Sequence, residues 1–239
     1  MSQRKPQLIV ALDVDTACEA KALIDRLSPV VEIFKVGSQI FVAAGTEIVQ
    51  YLNERNKGIF LDLKFHDIPN TVANAAAAAV RTIGRPKGVS MYSVHTQGGL
   101  KMLAAAAAAA VHQSKELKIL KPLGLGITVL TSEMKTDNIH QLVLERAHLA
   151  KKAGLDGVVA SVAEAFLLRR EFGQDFIIVT PGIRPEGESA QDQQRIATPA
   201  QAVQDGSDYL VVGRPIVKAK DPLSSAKKIL KEIQSRPSS

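Results

Sequence analysis

The segment LDLKFHDIPNT, at residues 61–71, places three charged side chains where an apolar run ends. Asp62 and Lys64 lie two residues apart, and Asp67 follows three residues later. Residues two apart on a β-strand share one face, so the pattern predicts that Asp62 and Lys64 point the same way. Two interpretations fit these residue types: a solvated loop, or a charge array around a bond that is broken in a reaction.

Charged residues of alternating sign also occur at the ends of the two preceding apolar runs. Asp13 ends LIVALD, and Lys35 lies near the end of EIFKVG. Taken singly, Asp13 could be a helix cap, Lys35 a surface side chain, the Asp62–Lys64 pair a structural ion pair, and Asp67 a cap for the next helix. Asp and Lys are seldom fully buried unless paired, so the convergence of four such groups from three neighbouring segments favours a functional site.

The C-terminal third carries a second group of candidate site residues, and their types are those that bind an anion. The run IIVTPG leads into a long polar stretch that contains Arg184 and Gln193, and VVGRPI brings Gly213 next to Arg214. Arginine binds phosphate in a bidentate manner, and glycine allows close approach of the backbone. We therefore predict a phosphate site here and a lid in the polar stretch. Surface salt bridges for the arginines, and a solvated loop for Gln193, are the alternatives.

Short apolar runs rich in β-formers alternate with amphipathic, Ala-rich segments along the chain, as in a parallel sheet covered by helices. The predicted strands are 8–13, 32–37, 58–65, 89–96, 123–130, 156–161, 176–182 and 209–215. The predicted helices are 16–27, 39–55, 70–83, 98–113, 137–153, 162–171, 198–206 and 222–234.

Eight such units predict an α/β fold with a single (β/α)8 TIM barrel over residues 1–239. Successive strand ends lie 20 to 33 residues apart, enough for one loop–helix–strand unit each. A doubly wound open sheet is the alternative, but its first turn is usually glycine-rich and ALDVDTACEA has no glycine. The runs Ala75–Ala79 and Ala104–Ala110 are predicted as helix, and 235–239 as a frayed tail.

Composition limits the classes of partner. The chain has 30 Lys and Arg against 24 Asp and Glu, a net charge of +6, but no basic stripe and no Trp, so nucleic acid is not expected. Cys18 is the single cysteine and is predicted to be buried or half-buried. No apolar run approaches the length of a membrane helix and no secretory leader is evident, so we expect a cytoplasmic protein without membrane contact.

Four further candidates have weaker support. His66 and His95 stand outside any cluster with metal-ligand spacing, so no metal site is predicted. Ser161 has no evident base. Thr131, with Ser132 beside it, follows ITVL and could hydrogen-bond a substrate or form a turn.

Nearly the whole chain resembles the bacterial orotidine 5′-phosphate decarboxylase family. The resemblance is carried by ALD (11–13), FKVG (34–37), DLKFHDIPNT (62–71), VHTQGG (94–99), TVLTS (128–132), TPGIRP (180–185), DQ (192–193) and VVGRPI (211–216). The pattern DxKxxD alone is shared with relatives that act on sugar phosphates, whereas the longer motifs are more specific. Residues 85–87 depart from the pattern, away from these motifs.

The resemblance implies decarboxylation of orotidine 5′-phosphate to UMP without a metal or organic cofactor. It makes Lys64 the proton donor, flanked by Asp62 and Lys35. It also implies a homodimer in which Asp67 and Thr71 reach the partner's site.

The same resemblance distributes the substrate contacts. Asp13 and Lys35 would hold the ribose hydroxyls, and Thr131 would lie near the pyrimidine. The residues implied at the phosphate are Gln193, Gly213 and Arg214, with Arg184 in the same binding loop.

Two other functions stay open at this point. One is a Mg²⁺-dependent sugar-phosphate decarboxylase or aldolase-type lyase on the same scaffold. The other is a non-catalytic nucleotide- or RNA-binding barrel, suggested only by the positive charge.

Overall fold

The computed structural model describes residues 5–84, 88–130, 138–185 and 197–235. Eight parallel strands close into a barrel in chain order, because the first strand pairs with the second on one side and with the eighth on the other. The predicted (β/α)8 barrel is confirmed and the open sheet is excluded. The strands are β1 (Gln7–Ala11), β2 (Ile33–Gly37), β3 (Gly58–Phe65), β4 (Ser90–His95), β5 (Leu123–Ile127), β6 (Gly157–Val159), β7 (Ile177–Thr180) and β8 (Tyr209–Val212).

Helices connect the strands and cover the barrel. They are α1 (Ala17–Leu27), α2 (Ser38–Ala44), α3 (Glu47–Glu54), α4 (Pro69–Ile83), α5 (Gly99–Leu117), α6 (Ile139–Lys152), α7 (Val162–Phe172), α8 (Pro199–Gln204), α9 (Arg214–Val217) and α10 (Pro222–Gln234). A single 3₁₀ turn, Thr96–Gly98, precedes α5. Of the predicted frayed tail, Ser235 follows α10 directly, and 236–239 lie outside the described residues. None of the helices in the described ranges is long and apolar enough to cross a membrane.

Several predicted elements differ from the structure. The predicted strands 123–130, 156–161 and 176–182 end earlier, at Ile127, Val159 and Thr180, and the predicted helix 98–113 continues to Leu117. The segment 39–55 forms two helices, because Gly45 adopts a φ of +56° that a residue with a Cβ rarely takes, and the chain turns there. The eighth strand ends at Val212 rather than at Pro215, which lies in the first turn of α9. Proline has no N–H for a strand ladder but fits the first turn of a helix.

The core has two layers, and strand alternation separates them. Ile9, Phe60, Met91 and Tyr209 belong to the cluster inside the barrel. The larger cluster lies between the strands and the helices. Burying one such side chain stabilises the fold by about 1.5–3 kcal/mol, so both layers contribute.

The alanine runs are helical, as predicted. Ala76 and Ala79 of α4 are buried, as are Ala106 and Ala110 of α5. The two helices pack against each other, and the small side chains allow a close approach.

The packing of α1 explains why Cys18 is exposed. A capping box joins Thr16 and Glu19, and the buried face of α1 includes Ala20 and Ile24. Cys18 lies off that face and is exposed, so the prediction that it is buried or half-buried is wrong.

A buried ion pair ties α7 to the segment before β8. Arg169 Nη2 donates to Asp208 Oδ2 at 2.7 Å, with the side chains 12% and 5% exposed. The guanidinium also donates to the carbonyls of Gly173, Phe176 and Gly206. These bonds satisfy a cation that would otherwise be costly to bury.

Candidate active site

A cavity of about 700 Å³ opens at the carboxyl ends of the strands. This end of a (β/α)8 barrel is where the active sites of such enzymes lie. Seven of the eleven residues predicted for the site line this cavity: Asp13, Lys35, Asp62, Lys64, Arg184, Gly213 and Arg214.

The charged side chains from the first three strands form one continuous chain of ion pairs. Lys35 Nζ lies 3.1 Å from Asp13 Oδ1 and 3.8 Å from Asp62 Oδ2, and Lys64 Nζ donates to Asp62 Oδ2 at 2.8 Å. The side chain of Asp62 is 10% exposed, whereas that of Lys64 is 39% exposed. The array therefore has a shielded carboxylate at its centre and an ammonium that is partly open to the cavity.

Asp62 and Lys64 meet as predicted, but not through regular strand alternation. The pairing of β3 with β4 shifts between Leu61 and Phe65, and Lys64 adopts a φ of +52°. Its N–H donates to Ser93 Oγ at 2.9 Å. Leu61, with Leu63 and Phe65, packs in the layer under the helices.

The arginines lie in the later part of the barrel mouth. Arg184 is 5% exposed, which rules out a surface salt bridge for it. Its Nε has no hydrogen-bond partner among the residues that the structure describes, although the residue lines the cavity. The chain around it is tied down, because Arg184 N–H donates to the carbonyl of Ala197.

Gly213 and Arg214 follow β8 directly. A Cβ added to Gly213 would lie 3.3 Å from Asp13 Oδ2, so a larger residue there would crowd the carboxylate. Arg214 is the first residue of α9 and lines the same cavity as Arg184. The two guanidiniums give this part of the cavity the charge that an anion requires.

Asp67 and Thr71 do not line the cavity of this chain. Both are exposed, together with Ile68, whose exposed fraction is 66%. Asp67 is not the cap of α4: its Oδ1 accepts from the N–H of Ile68, which is itself the N-cap residue.

Thr131, Ser132 and Gln193 lie outside the described residues, as does most of the predicted lid, 186–196. Residues 85–87 lie outside them too.

Sequence reasoning missed several residues of the cavity and its support. Asp15 and Gln39 line the cavity and are joined by a hydrogen bond of 2.5 Å, and Lys218 lines it as well. Ser93, which bonds both Asp62 and Lys64, also escaped notice. Its position on β4, two residues before His95 and on the same face, is the signal that could have found it.

Three of the weaker candidates have structural contacts in this chain. Ser161 caps α7 by accepting from the N–H of Ala163. His95 is 8% exposed, and its ring stacks on that of His66 with 5.4 Å between centroids. No group of three or more His, Cys, Asp or Glu in the described ranges is arranged to hold a metal ion.

These features define a class: a (β/α)8 barrel with a charged cavity, suited to an anionic substrate, at the carboxyl ends of its strands. Comparison with known proteins gives the family. The sequence model described as "Orotidine 5′-phosphate decarboxylase / HUMPS family" matches residues 6–229, and the chain belongs to that family.

Named relatives are similar over nearly the full length. The orotidine 5′-phosphate decarboxylase of Moorella thermoacetica is 46% identical over 239 residues, covering 96% of this chain and 93% of the relative. That of Syntrophotalea carbinolica is 46% identical, with 97% and 96% covered. The crystal structure of the Lactobacillus acidophilus decarboxylase superposes with a TM-score of 0.80 at 35% identity, covering 96% of this chain and all of that one.

Proposed function

We propose that this chain decarboxylates orotidine 5′-phosphate to UMP, the reaction for which its relatives are named. The observation that carries the proposal is the ion array: the Lys64 ammonium lies 2.8 Å from the Asp62 carboxylate on the wall of a cavity that Arg184 also lines. The family description covers a second group, so the assignment also draws on the names of the relatives at 46% identity.

Lys64 is assigned as the group that meets the developing charge. Loss of CO₂ leaves a carbanion at C6 of the pyrimidine with no adjacent carbonyl to delocalise it fully. An ammonium about 4 Å away contributes on the order of 4 kcal/mol at an effective dielectric constant of about 20. Proton transfer from Lys64 to C6 then completes the product.

The ammonium alone is not enough, since enzymes lower barriers by roughly 8–23 kcal/mol. Binding energy from the phosphate, which does not react, is the second contribution. Arg184, Gly213 and Arg214 are assigned to the phosphate, together with Gln193. The Nε of the buried Arg184 has no hydrogen-bond partner within the described ranges, which fits an anion that completes its hydrogen bonding.

The remaining site residues are assigned to the ribose and the pyrimidine of the substrate. Asp13 and Lys35, paired at 3.1 Å, are assigned to the ribose hydroxyls, since a carboxylate accepts and an ammonium donates. Thr131 is assigned to the pyrimidine. These assignments need no metal and no organic cofactor, and we retain the prediction of a cytoplasmic location.

The test of the reaction uses orotidine 5′-phosphate in EDTA and follows loss of its ultraviolet band. We expect rapid loss with the parent, none with Lys64→Ala, and UMP binding retained by that variant. Lys118→Ala is a matched control, because Lys118 shares the left-handed backbone (φ +54°) but is exposed at the end of α5. Near-normal turnover by Lys64→Ala would remove Lys64 from its role.

The two other functions predict different results. A sugar-phosphate lyase would be inhibited by EDTA and indifferent to orotidine 5′-phosphate. An RNA-binding barrel would show salt-sensitive RNA binding and no turnover.

We also propose a homodimer in which Asp67 and Thr71 act in the partner's site. Their exposure beside Ile68, beyond the end of β3, fits residues that a second copy covers. Asp67 would then lie near the leaving carboxylate and destabilise the bound substrate by repulsion.

Mixed dimers test the shared site. Lys64→Ala and Asp67→Ala are each expected to be inactive alone. After denaturation and refolding together, random assortment should restore about a quarter of the parent activity, because one site of each heterodimer is then intact. No restoration, with heterodimers present, would place Asp67 in the site of its own chain.

A further inference from the structure

One buried hydroxyl connects the two charged residues of β3. Ser93 lies on β4 with 0% exposure. Its Oγ donates to Asp62 Oδ1 at 2.8 Å and accepts from the backbone N–H of Lys64 at 2.9 Å. The other carboxylate oxygen of Asp62 faces Lys64 Nζ and Lys35 Nζ. Ser93 is therefore bonded to both ends of the segment that carries the array.

The shift in register between β3 and β4 explains why such a bond is needed. Leu61 pairs with Tyr92 and Phe65 pairs with Val94, so four steps along β3 correspond to two along β4. The extra residues have no place in the regular ladder, and the N–H of Lys64 donates to the Ser93 side chain instead. A buried N–H without an acceptor would cost about 1–3 kcal/mol.

The backbone of Lys64 also has to be held in place. Its φ of +52° is a conformation that costs roughly 1–2 kcal/mol for a residue with a Cβ. Such conformations persist only where the surroundings impose them. The bond from Ser93 acts at the residue that bears the strain, so it can set the direction in which the ammonium points.

We propose that Ser93 is a positioning residue for catalysis. Its hydroxyl holds the Asp62 carboxylate and the Lys64 backbone in a single arrangement, and thereby aims the ammonium at the reacting carbon. Ser93 does not line the cavity and acts through the other two residues. This role rests on the proposed function, since the reacting carbon is that of the pyrimidine.

The test compares Ser93→Ala with Ser93→Thr, which keeps the hydroxyl, and with Ser90→Ala. Ser90 is a matched control: it lies on the same strand, is 6% exposed, and donates to the carbonyl of Ile83 at 2.7 Å. The readouts are kcat, KM, UMP affinity, unfolding in urea, and hydrogen exchange of the Lys64 amide.

For Ser93→Ala we expect kcat to fall by roughly 10- to 100-fold, because small misplacements of reacting groups have effects of that size. UMP affinity should change less than about threefold, and the Lys64 amide should exchange at least about tenfold faster. Ser93→Thr should recover most of kcat. Ser90→Ala should lose stability but keep kcat and the protection of Lys64.

The proposal is overturned if Ser93→Ala keeps kcat within a factor of about two, or if Ser93 and Ser90 variants lose activity in proportion to lost stability. Failure of the proposed function is distinguishable, because the parent would then leave orotidine 5′-phosphate intact. Even if the parent does not turn over this substrate, hydrogen exchange of the Lys64 amide still tests whether Ser93 holds the Lys64 backbone. Unchanged protection of that amide in Ser93→Ala would refute the positioning role.

Discussion

Replacing Lys64 by glycine should leave a more stable protein than replacing it by alanine, which reverses the usual order in a strand. The residue has a φ of +52°, where a Cβ costs roughly 1–2 kcal/mol and glycine is not penalised. Glycine also makes the unfolded chain more flexible, which offsets about 0.4–1 kcal/mol of this advantage. The net expectation is about 0.5–1 kcal/mol in favour of Lys64→Gly.

Unfolding in urea at a single protein concentration measures the difference directly. Both variants lack the ammonium, so no difference in substrate binding confuses the comparison. Lys118, at φ +54°, should show the same preference for glycine. Lys228, which is exposed inside α10, should show the opposite preference by about 1 kcal/mol. If alanine is the more stable choice at position 64 while Lys118 and Lys228 behave as expected, the left-handed backbone of Lys64 is refuted.

Three further predictions concern other parts of the chain. Gly37→Ala should lower kcat/KM about tenfold with little change in stability, because the new Cβ would lie 3.0 Å from Lys35 Nζ; steady-state kinetics and urea unfolding check this. The Tyr51 hydroxyl, 2.7 Å from Asp25, lowers the pKa of that carboxyl. Above about pH 4, the pKa of Asp25 in the unfolded chain, Tyr51→Phe should therefore reduce the free energy of unfolding by less than about 1 kcal/mol. The difference from the parent should vanish as the pH falls through the lower pKa of Asp25 in the folded protein. Urea unfolding at a series of pH values measures it. Arg169→Met should destabilise by about 3–5 kcal/mol in a thermal or urea melt, since the carboxylate paired with it stays buried; a loss below about 1 kcal/mol would contradict this.

The architecture could be predicted because it depends on local patterns. Strands buried on both faces are continuous apolar runs, and the helices between them are amphipathic or rich in alanine, so each unit is visible without its neighbours. The ion array is predictable for the same reason, since Asp62 and Lys64 are two residues apart in a segment that the apolar pattern predicts as a strand.

The backbone at Lys64 could not be predicted, because it depends on contacts between distant segments. Lysine gives no sign of a left-handed conformation, and its N–H is bound by Ser93, 29 residues further along the chain. The burial of Arg184 could not be predicted either. The N–H of this residue donates to the carbonyl of Ala197, and no pattern around either residue indicates that bond.

The pairing of β1 with β8 also governs how the chain can fold during synthesis. Residues Gln7–Val10 pair with Tyr209–Val212, so this edge of β1 has no native strand partner until the ribosome has made β8, about 200 residues later. A contact between such distant residues forms slowly, because closing the long loop between them costs chain entropy. An unpaired strand edge is also a site for association between chains. Nascent chains that stop before Tyr209 therefore present the edge of an apolar strand, and barrel closure removes it only after β8 has been made.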